Sequence, residues 1–146
     1  MIPVELYKNI IDVISILCVD IIIQNSQHEY LLVKRKNEPL KGKWWIVGGR
    51  ILKGETVEQA AIRKVKEELS IDIKKLKLIV FFEAPFQKHP FGLKEKYHAV
   101  RIVLSAYITN DNQIKLDSQS SEWKFSKKLP SQFVIKTFSN FELSTI

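Results

Sequence analysis

The sequence has few of the features that mark secreted, membrane-spanning or multidomain proteins. Its single cysteine, Cys18, cannot form an internal disulfide. The most apolar stretch, residues 14–23, is interrupted by Asp20 and falls well short of the roughly 20 residues that cross a bilayer. Five glycines and five prolines are scattered along the chain, so neither a linker nor a low-complexity tract divides it. We therefore expect one continuous domain over residues 1–146 and no membrane span.

Composition and charge are those of a soluble chain with an anionic partner. The 146 residues are 45% hydrophobic and 27% charged, enough for a globular domain that buries about two thirds of its unfolded surface. The formal net charge of +7 favours an anionic partner without distinguishing a nucleotide, a nucleic acid and a membrane surface. Because the basic stretch, apolar run and small-residue site of a secretory signal do not follow Met1, a cytoplasmic protein is expected.

Periodic apolar residues and turn residues predict three helices and a set of strands. The helices are expected at residues 3–13, from Thr56 to about Leu69, and at residues 130–138. Strands, the first two forming an antiparallel hairpin, are expected at residues 14–24, 29–34, 44–47, 77–86, 97–108 and 122–125. Gly48 and Gly49 are expected to break the strand pattern. This order of elements predicts an α/β sandwich with a mixed sheet.

A glycine-rich loop leads into the second helix. Thr56 and Gln59 have the spacing of a capping box, in which side chains satisfy amide donors at a helix start. Apolar residues recur every four positions from Val57 to Leu69, so the helix has one apolar stripe to bury. A glycine before such a helix lets the backbone approach a ligand closely.

Paired carboxylates follow towards the end of this helix. Two carboxylates on one helical turn can concentrate Mg²⁺ against a bound diphosphate, because hard cations prefer oxygen ligands. The same spacing is equally typical of a solvated helix face, on which Lys64 would pair with Glu68 and Arg63 with Glu67. Helix spacing alone leaves both interpretations open.

The register of this segment resembles the Nudix box, G-x5-E-x7-R-E-U-x-E-E-x-G-U, in which U is an aliphatic residue. Seven of its positions match over residues 49–71, namely Gly49, Glu55, Arg63, Val65, Glu67, Glu68 and Ile71. Lys64 stands where the family usually has glutamate, and Ser70 where it usually has glycine. The resemblance implies a Nudix α/β/α sandwich and a hydrolase. Lys64 removes one of three carboxylates that usually hold metal ions, which argues against a site for several metals.

A second resemblance, to the GDP-mannose mannosyl hydrolases, covers residues 19–26, 29–39 and 42–50. Those enzymes also have an N-terminal helical extension, here residues 1–13, and depart from the usual Nudix box. They cleave a nucleotide sugar at the sugar carbon and release GDP and free sugar, with Mg²⁺ on the diphosphate. The resemblance therefore implies a GDP-sugar substrate, Mg²⁺ or Mn²⁺ as cofactor, and a homodimer.

The resemblance also implies residue roles. It makes Gly49 (through its carbonyl), Glu68 and Gln119 metal ligands, and the general Nudix pattern adds Glu67. Arg35 and Arg50 would face the diphosphate, where a guanidinium neutralises charge and binds oxygens bidentately.

Three of the residues expected at the substrate also have a structural alternative. Asp20 would lie near the sugar, or would be a strand-end carboxylate paired with a lysine. His98 would touch the sugar or the phosphate, or would have a structural role in its strand. Arg35, in a Lys-Arg-Lys run, would otherwise lie at a solvated edge. Glu55 and Arg63 are expected to pair and brace the loop.

The general base is the main departure from the mannosyl hydrolases. In that family a histidine follows the metal-binding glutamine, whereas Ser120 follows Gln119 here, and a neutral serine needs a base of its own. Glu122 is the leading candidate base, and the alternatives are Glu83, His89 and Glu95. With attack at phosphorus instead, the products would be GMP and a sugar phosphate, and the Glu67–Glu68 pair favours that route.

Two other functions are compatible with parts of the sequence. Nucleic-acid binding would use the basic charge and a set of aromatic stacking residues: Trp44, Trp45, Phe81, Phe82, Phe86 and Phe91. It is disfavoured because the lysines are distributed along the whole chain and most of these aromatics fall in predicted strands, where core burial is expected. A domain that binds nucleotide sugar without turnover is the other alternative, favoured by Lys64 and the absent histidine.

Overall fold

A computed structural model of the chain describes residues 2–38, 40–87, 97–110 and 113–138. The helices are α1 (Val4–Val13), α2 (Val57–Leu69) and α3 (Ser131–Phe138). The strands are β1 (Ile16–Gln24), β2 (Tyr30–Arg35), β3 (Trp44–Trp45), β4 (Val47–Arg50), β5 (Ile73–Gln87), β6 (Tyr97–Ile108) and β7 (Ser120–Ser126). In the part of the chain that the structure describes, no helix has the length and apolar character needed to span a membrane.

The strands form one mixed sheet. Its central path runs β3-β2-β1-β6-β5, with β4 added against β1 and β7 against β2. The β1–β6 pair is parallel, from Ile16 opposite Ala99 to Gln24 opposite Tyr107, and the other pairs are antiparallel. The predicted α/β architecture with a mixed sheet is confirmed.

Helices cover both faces of β1. Val19, Ile21 and Ile23 share a core with the apolar stripe of α2. Ile22 packs in a second core with Phe133 of α3. Successive side chains of a strand point to opposite faces, so a strand buried on both sides has to be apolar almost throughout. This double burial explains the β-branched run that the sequence shows at this strand.

In the predicted hairpin, β1 and β2 pair only next to the turn. Asn25 makes the expected turn, its Oδ1 accepting hydrogen bonds from the backbone N–H groups of Gln27 and Glu29. Gln24 lies opposite Tyr30, but further along β1 its antiparallel neighbour is β4, and β2 pairs with β7 instead. The local turn signal was correct, but distant strands provide the pairing.

The expectation that Gly48 and Gly49 break the strand pattern was wrong. Both lie inside β4, opposite Asp20 and Val19 of β1. A Cβ atom at Gly48 would lie 2.5 Å from both Asp20 Oδ1 and the Val19 carbonyl oxygen. Glycine is therefore present because β4 passes close to β1, and not because the strand ends there.

Helix α2 begins and ends with the expected signals. Thr56 and Gln59 form a reciprocal capping box, and Ala61, Val65 and Leu69 are fully buried. The helix ends at Ser70, whose φ of 58° is in the left-handed region that favours glycine. The serine thus has the helix-ending role that a glycine has in the Nudix box.

Candidate functional site

The segment before β7 connects the end of α2 to the end of β2. The backbone N–H of Asp117 donates to the Glu68 carbonyl over 3.1 Å, and the N–H of Lys36 donates to the Gln119 carbonyl over 2.9 Å. In the β2–β7 pair, Arg35 lies opposite Ser120. These backbone contacts bring Gln119 towards both the α2 carboxylates and Arg35, three regions that are distant in the sequence.

Glu55 and Arg63 brace the loop between β4 and α2, as the sequence predicts. Arg63 donates from Nε and Nη2 to the two Glu55 oxygens, and from Nη2 to the Arg50 carbonyl over 2.9 Å. The backbone N–H of Leu52 donates to Glu55 Oε2 over 2.8 Å. The hydrogen bonds from Arg63 and then from Leu52 lower the pKa of Glu55 to about 2. The Glu55–Arg63 pair therefore fixes the backbone conformation of this loop.

Lys64 occupies the centre of the carboxylate cluster. Its Nζ lies 3.0 Å from Glu68 Oε1 and 3.2 Å from Glu67 Oε2. Its stem lies against Gly49, where an added Cβ would be 2.6 Å from Lys64 Cε. Both ion pairs that were expected on a solvated helix face are present. Lys64 pairs with Glu68, and Arg63 lies 3.2 Å from Glu67. The solvated face itself is wrong for Lys64, which is only 8% exposed.

The two adjacent carboxylates have different environments. Glu68 is 6% exposed, and burial raises its pKa; Lys64 opposes that shift. Burial also acts to raise the pKa of Glu67, but hydrogen bonds from Arg63 and Lys64 outweigh it and lower the pKa. Glu68 is the carboxylate that faces the interior, and Glu67 is half exposed at the rim.

Asp117 is a site residue that the sequence reasoning missed. Its Oδ1 accepts from the backbone N–H of Gln119 and its Oδ2 from the Gln119 side-chain amide, each over 2.9 Å. Its charge acts to raise the pKa of Glu68, whereas that of Arg35 acts to lower it. The only sequence signal was a carboxylate two residues before Gln119, which is too common a pattern to single out.

Arg50 lies on the other face of the sheet, against α1. Its guanidinium lies 4.4 Å from the ring centroid of Tyr7, a residue of α1 that is 3% exposed and was not singled out from the sequence. Burial raises the pKa of Tyr7, and the nearby Arg50 charge opposes this. Cys18, opposite Arg50 in the β1–β4 pair, is a buried free thiol. The N-terminal helix therefore positions Arg50.

Asp20 lies on the same face as Arg50. It is 2% exposed, and its Oδ1 accepts a hydrogen bond of 2.6 Å from Nη1 of Arg101 on β6. The predicted alternative, a strand-end carboxylate paired with a lysine, was wrong in both respects. Asp20 is in the middle of β1, and its partner is an arginine brought there by the parallel β1–β6 pairing.

The structure describes three of the remaining predicted residues, His98, Glu122 and Glu83. His98 Nδ1 is hydrogen-bonded to the Ser15 hydroxyl, next to the end of α1. Glu122 is exposed and lies 2.8 Å from Lys34 Nζ across the β2–β7 pair. Glu83 is exposed on β5. His89 and Glu95 lie outside the described residues.

The aromatic residues are only partly in the core. Trp45 and Phe82 pack against the α3 core as expected. Phe81 was expected to be buried but is 69% exposed, because its position on β5 points away from both cores. Phe91 and the side chain of Phe86 lie outside the described part of the structure.

Oxygen atoms that could bind a hard cation are present on β4, on α2 and in the segment before β7. Gly49, Glu68 and Gln119 offer carbonyl and carboxylate oxygens, the ligands that Mg²⁺ prefers. Within the described ranges, no group of three or more histidine, cysteine, aspartate or glutamate side chains is arranged to hold a metal ion. Lys64 stands at the position where the Nudix box has a third carboxylate, and its ammonium pairs with the other two.

A family model for the NUDIX domain matches residues 15–130 of this chain. The chain belongs to the Nudix hydrolase family. The predicted membership is confirmed, and the match begins in the turn between α1 and β1. Nudix enzymes generally use divalent metals such as Mg²⁺, consistent with the oxygen donors described above.

Two relatives indicate the range of functions in this family. The chain is 28% identical, over 84% of its length and 78% of the other protein, to the low-salt glycan biosynthesis protein Agl8 of Haloferax volcanii. It is 34% identical to the ADP-ribose pyrophosphatase of Methanocaldococcus jannaschii, over 73% of this chain and 59% of that protein.

Solved structures support the fold. The MutT NUDIX hydrolase of Burkholderia pseudomallei superposes with a TM-score of 0.67 at 21% identity, covering 84% of this chain and 95% of that one. The NUDIX domain of Shewanella oneidensis NrtR, crystallised with ADP ribose, gives a TM-score of 0.63 at 20% identity, covering 85% and 78%. The predicted Nudix sandwich is confirmed.

Proposed function

We propose that this protein is a Mg²⁺-dependent Nudix hydrolase of a nucleotide sugar, similar to the GDP-mannose mannosyl hydrolases, that releases GDP and free sugar. The observation that carries the proposal is the junction at Gly49 and Arg50. One residue faces the α2 carboxylates, and the next extends its guanidinium on the opposite face, beside Asp20 and Tyr7. The similarity to Agl8, a protein of glycan biosynthesis, supports a sugar-containing substrate.

The metal would be held by the carbonyl of Gly49, the carboxylate of Glu68 and the amide oxygen of Gln119, with Glu67 as an additional ligand. Mg²⁺ bound there would withdraw charge from the leaving diphosphate. Asp117 holds the amide nitrogen of Gln119, so it orients the side chain whose oxygen would bind the metal. Mn²⁺ is expected to substitute for Mg²⁺.

Arg35, whose charge acts on Glu68, would bind and neutralise oxygens of the metal-bound diphosphate. The guanidinium of Arg50 lies on the opposite face of the sheet, so it would bind the part of the substrate that extends past Gly49 to that face. Tyr7 and the Arg63 contact to the Arg50 carbonyl fix Arg50 from two sides, so little side-chain freedom is lost when substrate binds. Asp20 lies on the α1 side of the sheet, where we place the sugar. His98 is also proposed to contact the sugar or the phosphate.

For the general base we retain Glu122. Its carboxylate would take a proton from the attacking water, and Lys34 would hold it in place. Asp117 is a second carboxylate that is positioned beside Gln119. Replacement of each by the corresponding amide should show which one the reaction needs.

The alternative proposal is a diphosphatase that attacks phosphorus, and the similarity to an ADP-ribose pyrophosphatase favours it. A nucleotide-sugar binder without turnover is the third candidate.

We also propose that the chain is a single domain, forms a homodimer, is cytoplasmic and binds neither nucleic acid nor membrane. Light scattering after gel filtration would test the dimer.

The deciding experiment is phosphorus NMR of the products formed from GDP-mannose and Mg²⁺ in ¹⁸O-water. GDP without ¹⁸O, together with labelled mannose, would support attack at carbon. GMP and mannose 1-phosphate, one of them labelled, would establish attack at phosphorus. Glu68→Gln is the inactive control, since it keeps the shape but loses the metal-binding charge. No product from GDP-mannose or ADP-ribose, with tight binding of either, would favour the binder.

A further inference from the structure

The carboxylate cluster of α2 already contains a cation. The Lys64 ammonium lies within 3.2 Å of carboxylate oxygens of both Glu67 and Glu68. Both partners are residues of the helical turn that follows it, so the helix itself holds all three side chains together.

The environment of Lys64 keeps the ammonium in that position. The residue is 8% exposed, and a buried ammonium is stable only when it is paired and hydrogen-bonded. The stem fills the space beside Gly49, which has no side chain that would exclude it. A move into solvent would leave Glu68, 6% exposed, without this counter-ion and would open a gap beside Gly49.

Charge in the cluster is correspondingly low. Positions 64, 67 and 68 carry one net negative charge here, whereas three carboxylates would carry three. A divalent ion placed among these side chains would be repelled by the ammonium at a few ångströms, and part of the space would already be taken. The charge and the space among these three side chains therefore do not fit a centre for several metal ions.

We propose that Lys64 is a resident cation that replaces a divalent metal ion between Glu67 and Glu68. Any metal that binds is restricted to the Gln119 side of Glu68, so the carboxylate of Glu67, counted above as an additional ligand, would not take part. The inference rests on the proposed function only in taking Glu67 and Glu68 as metal-binding positions. It concerns how many ions bind and how tightly, and it makes no claim about which bond is cleaved.

The test is a titration of the full-length protein with Mn²⁺ alone, followed by the EPR signal of the free ion and by calorimetry. We expect the wild-type protein to bind at most one Mn²⁺. Lys64→Glu should bind at least one more ion, or bind the first at least ~10-fold more tightly, because it adds a carboxylate and removes the ammonium. Lys64→Met, which keeps the stem against Gly49 but removes the charge, should tighten binding by a smaller factor.

Lys66→Glu is the matched control. It makes the same charge change on the same helix, but Lys66 is exposed and pairs with Asp72, 3.1 Å away. Mn²⁺ binding of this variant should match that of the wild type within about twofold, because exposed charges are screened by salt.

The proposal is overturned if the wild type binds two or more ions, or if neither Lys64 variant gains an ion or affinity. Circular dichroism establishes that each variant is folded, and Lys64→Met keeps the test decisive if three adjacent carboxylates prevent folding. No substrate is present, so a failed search for GDP-mannose hydrolysis and a failed metal titration remain separate results.

Discussion

Replacement of Asp20 by asparagine should destabilise the protein substantially, because the carboxylate forms a buried ion pair. The side chain of Asp20 is 3% exposed, that of Arg101 is 19% exposed, and the contact is 2.6 Å. Breaking a buried pair costs about 3–5 kcal/mol, and the partial exposure of Arg101 places this pair near the lower end, about 3 kcal/mol. For a chain of this size, that corresponds to a fall in Tm of roughly 6–12 °C.

The assay is urea unfolding of the wild type, Asp20→Asn, Arg101→Met and the double variant. Two residues that interact directly should show a coupling free energy of at least about 1.5 kcal/mol. Glu122→Gln is the control, since it makes the same chemical change at an exposed pair, Lys34–Glu122, and should cost less than about 1 kcal/mol. Equal losses for Asp20→Asn and Glu122→Gln, with a coupling below about 0.5 kcal/mol, would refute the reasoning.

Three further predictions concern β4, the end of α2 and the Glu55 brace. Gly48→Ala should lower the free energy of unfolding by about 1–3 kcal/mol in urea, because its Cβ would overlap Asp20 and the β1 backbone; an unchanged midpoint would contradict this. Ser70→Gly should raise stability by up to about 1 kcal/mol, since φ is 58° there, whereas Ser70→Ala should not. Glu55, with a pKa lowered to about 2 from 4.5, stabilises the fold above pH 4.5, and this is lost as the pH falls towards 2. Glu55→Gln should therefore flatten the dependence of Tm on pH in that window, and identical acid curves would be evidence against the brace.

The relative positions of the proposed metal-binding residues on β4 and α2 were largely predictable from the sequence. The matched residues from Gly49 to Glu68 lie within one strand, one loop and one helix. Their spacing in the sequence is therefore enough to bring them close together. The role of Gln119 as a metal ligand was predicted only from the resemblance to the GDP-mannose mannosyl hydrolases. Asp117 was missed, because its contact with Gln119 depends on a loop whose shape is set by hydrogen bonds to α2.

The role of Lys64 was predicted only in part. Spacing on the helix correctly indicated a pair with Glu68, since residues four apart are neighbours on any helix. Whether that pair is solvated or buried depends on what packs over it. Here β4 brings Gly49 against the lysine stem, and this converts a surface pair into a buried cation.

The sequence by itself determined the local elements: the capping box and apolar stripe of α2, the Asn25 turn, the Glu55–Arg63 pair and the family. Each depends on residues a few positions apart, or on a pattern confined to one segment. Only the tertiary structure decided that Asp20 pairs with Arg101, 81 positions away, and that Tyr7 lies under Arg50. Those contacts depend on the register of the parallel β1–β6 pair and on the packing of α1, which are set by burial of the whole sheet.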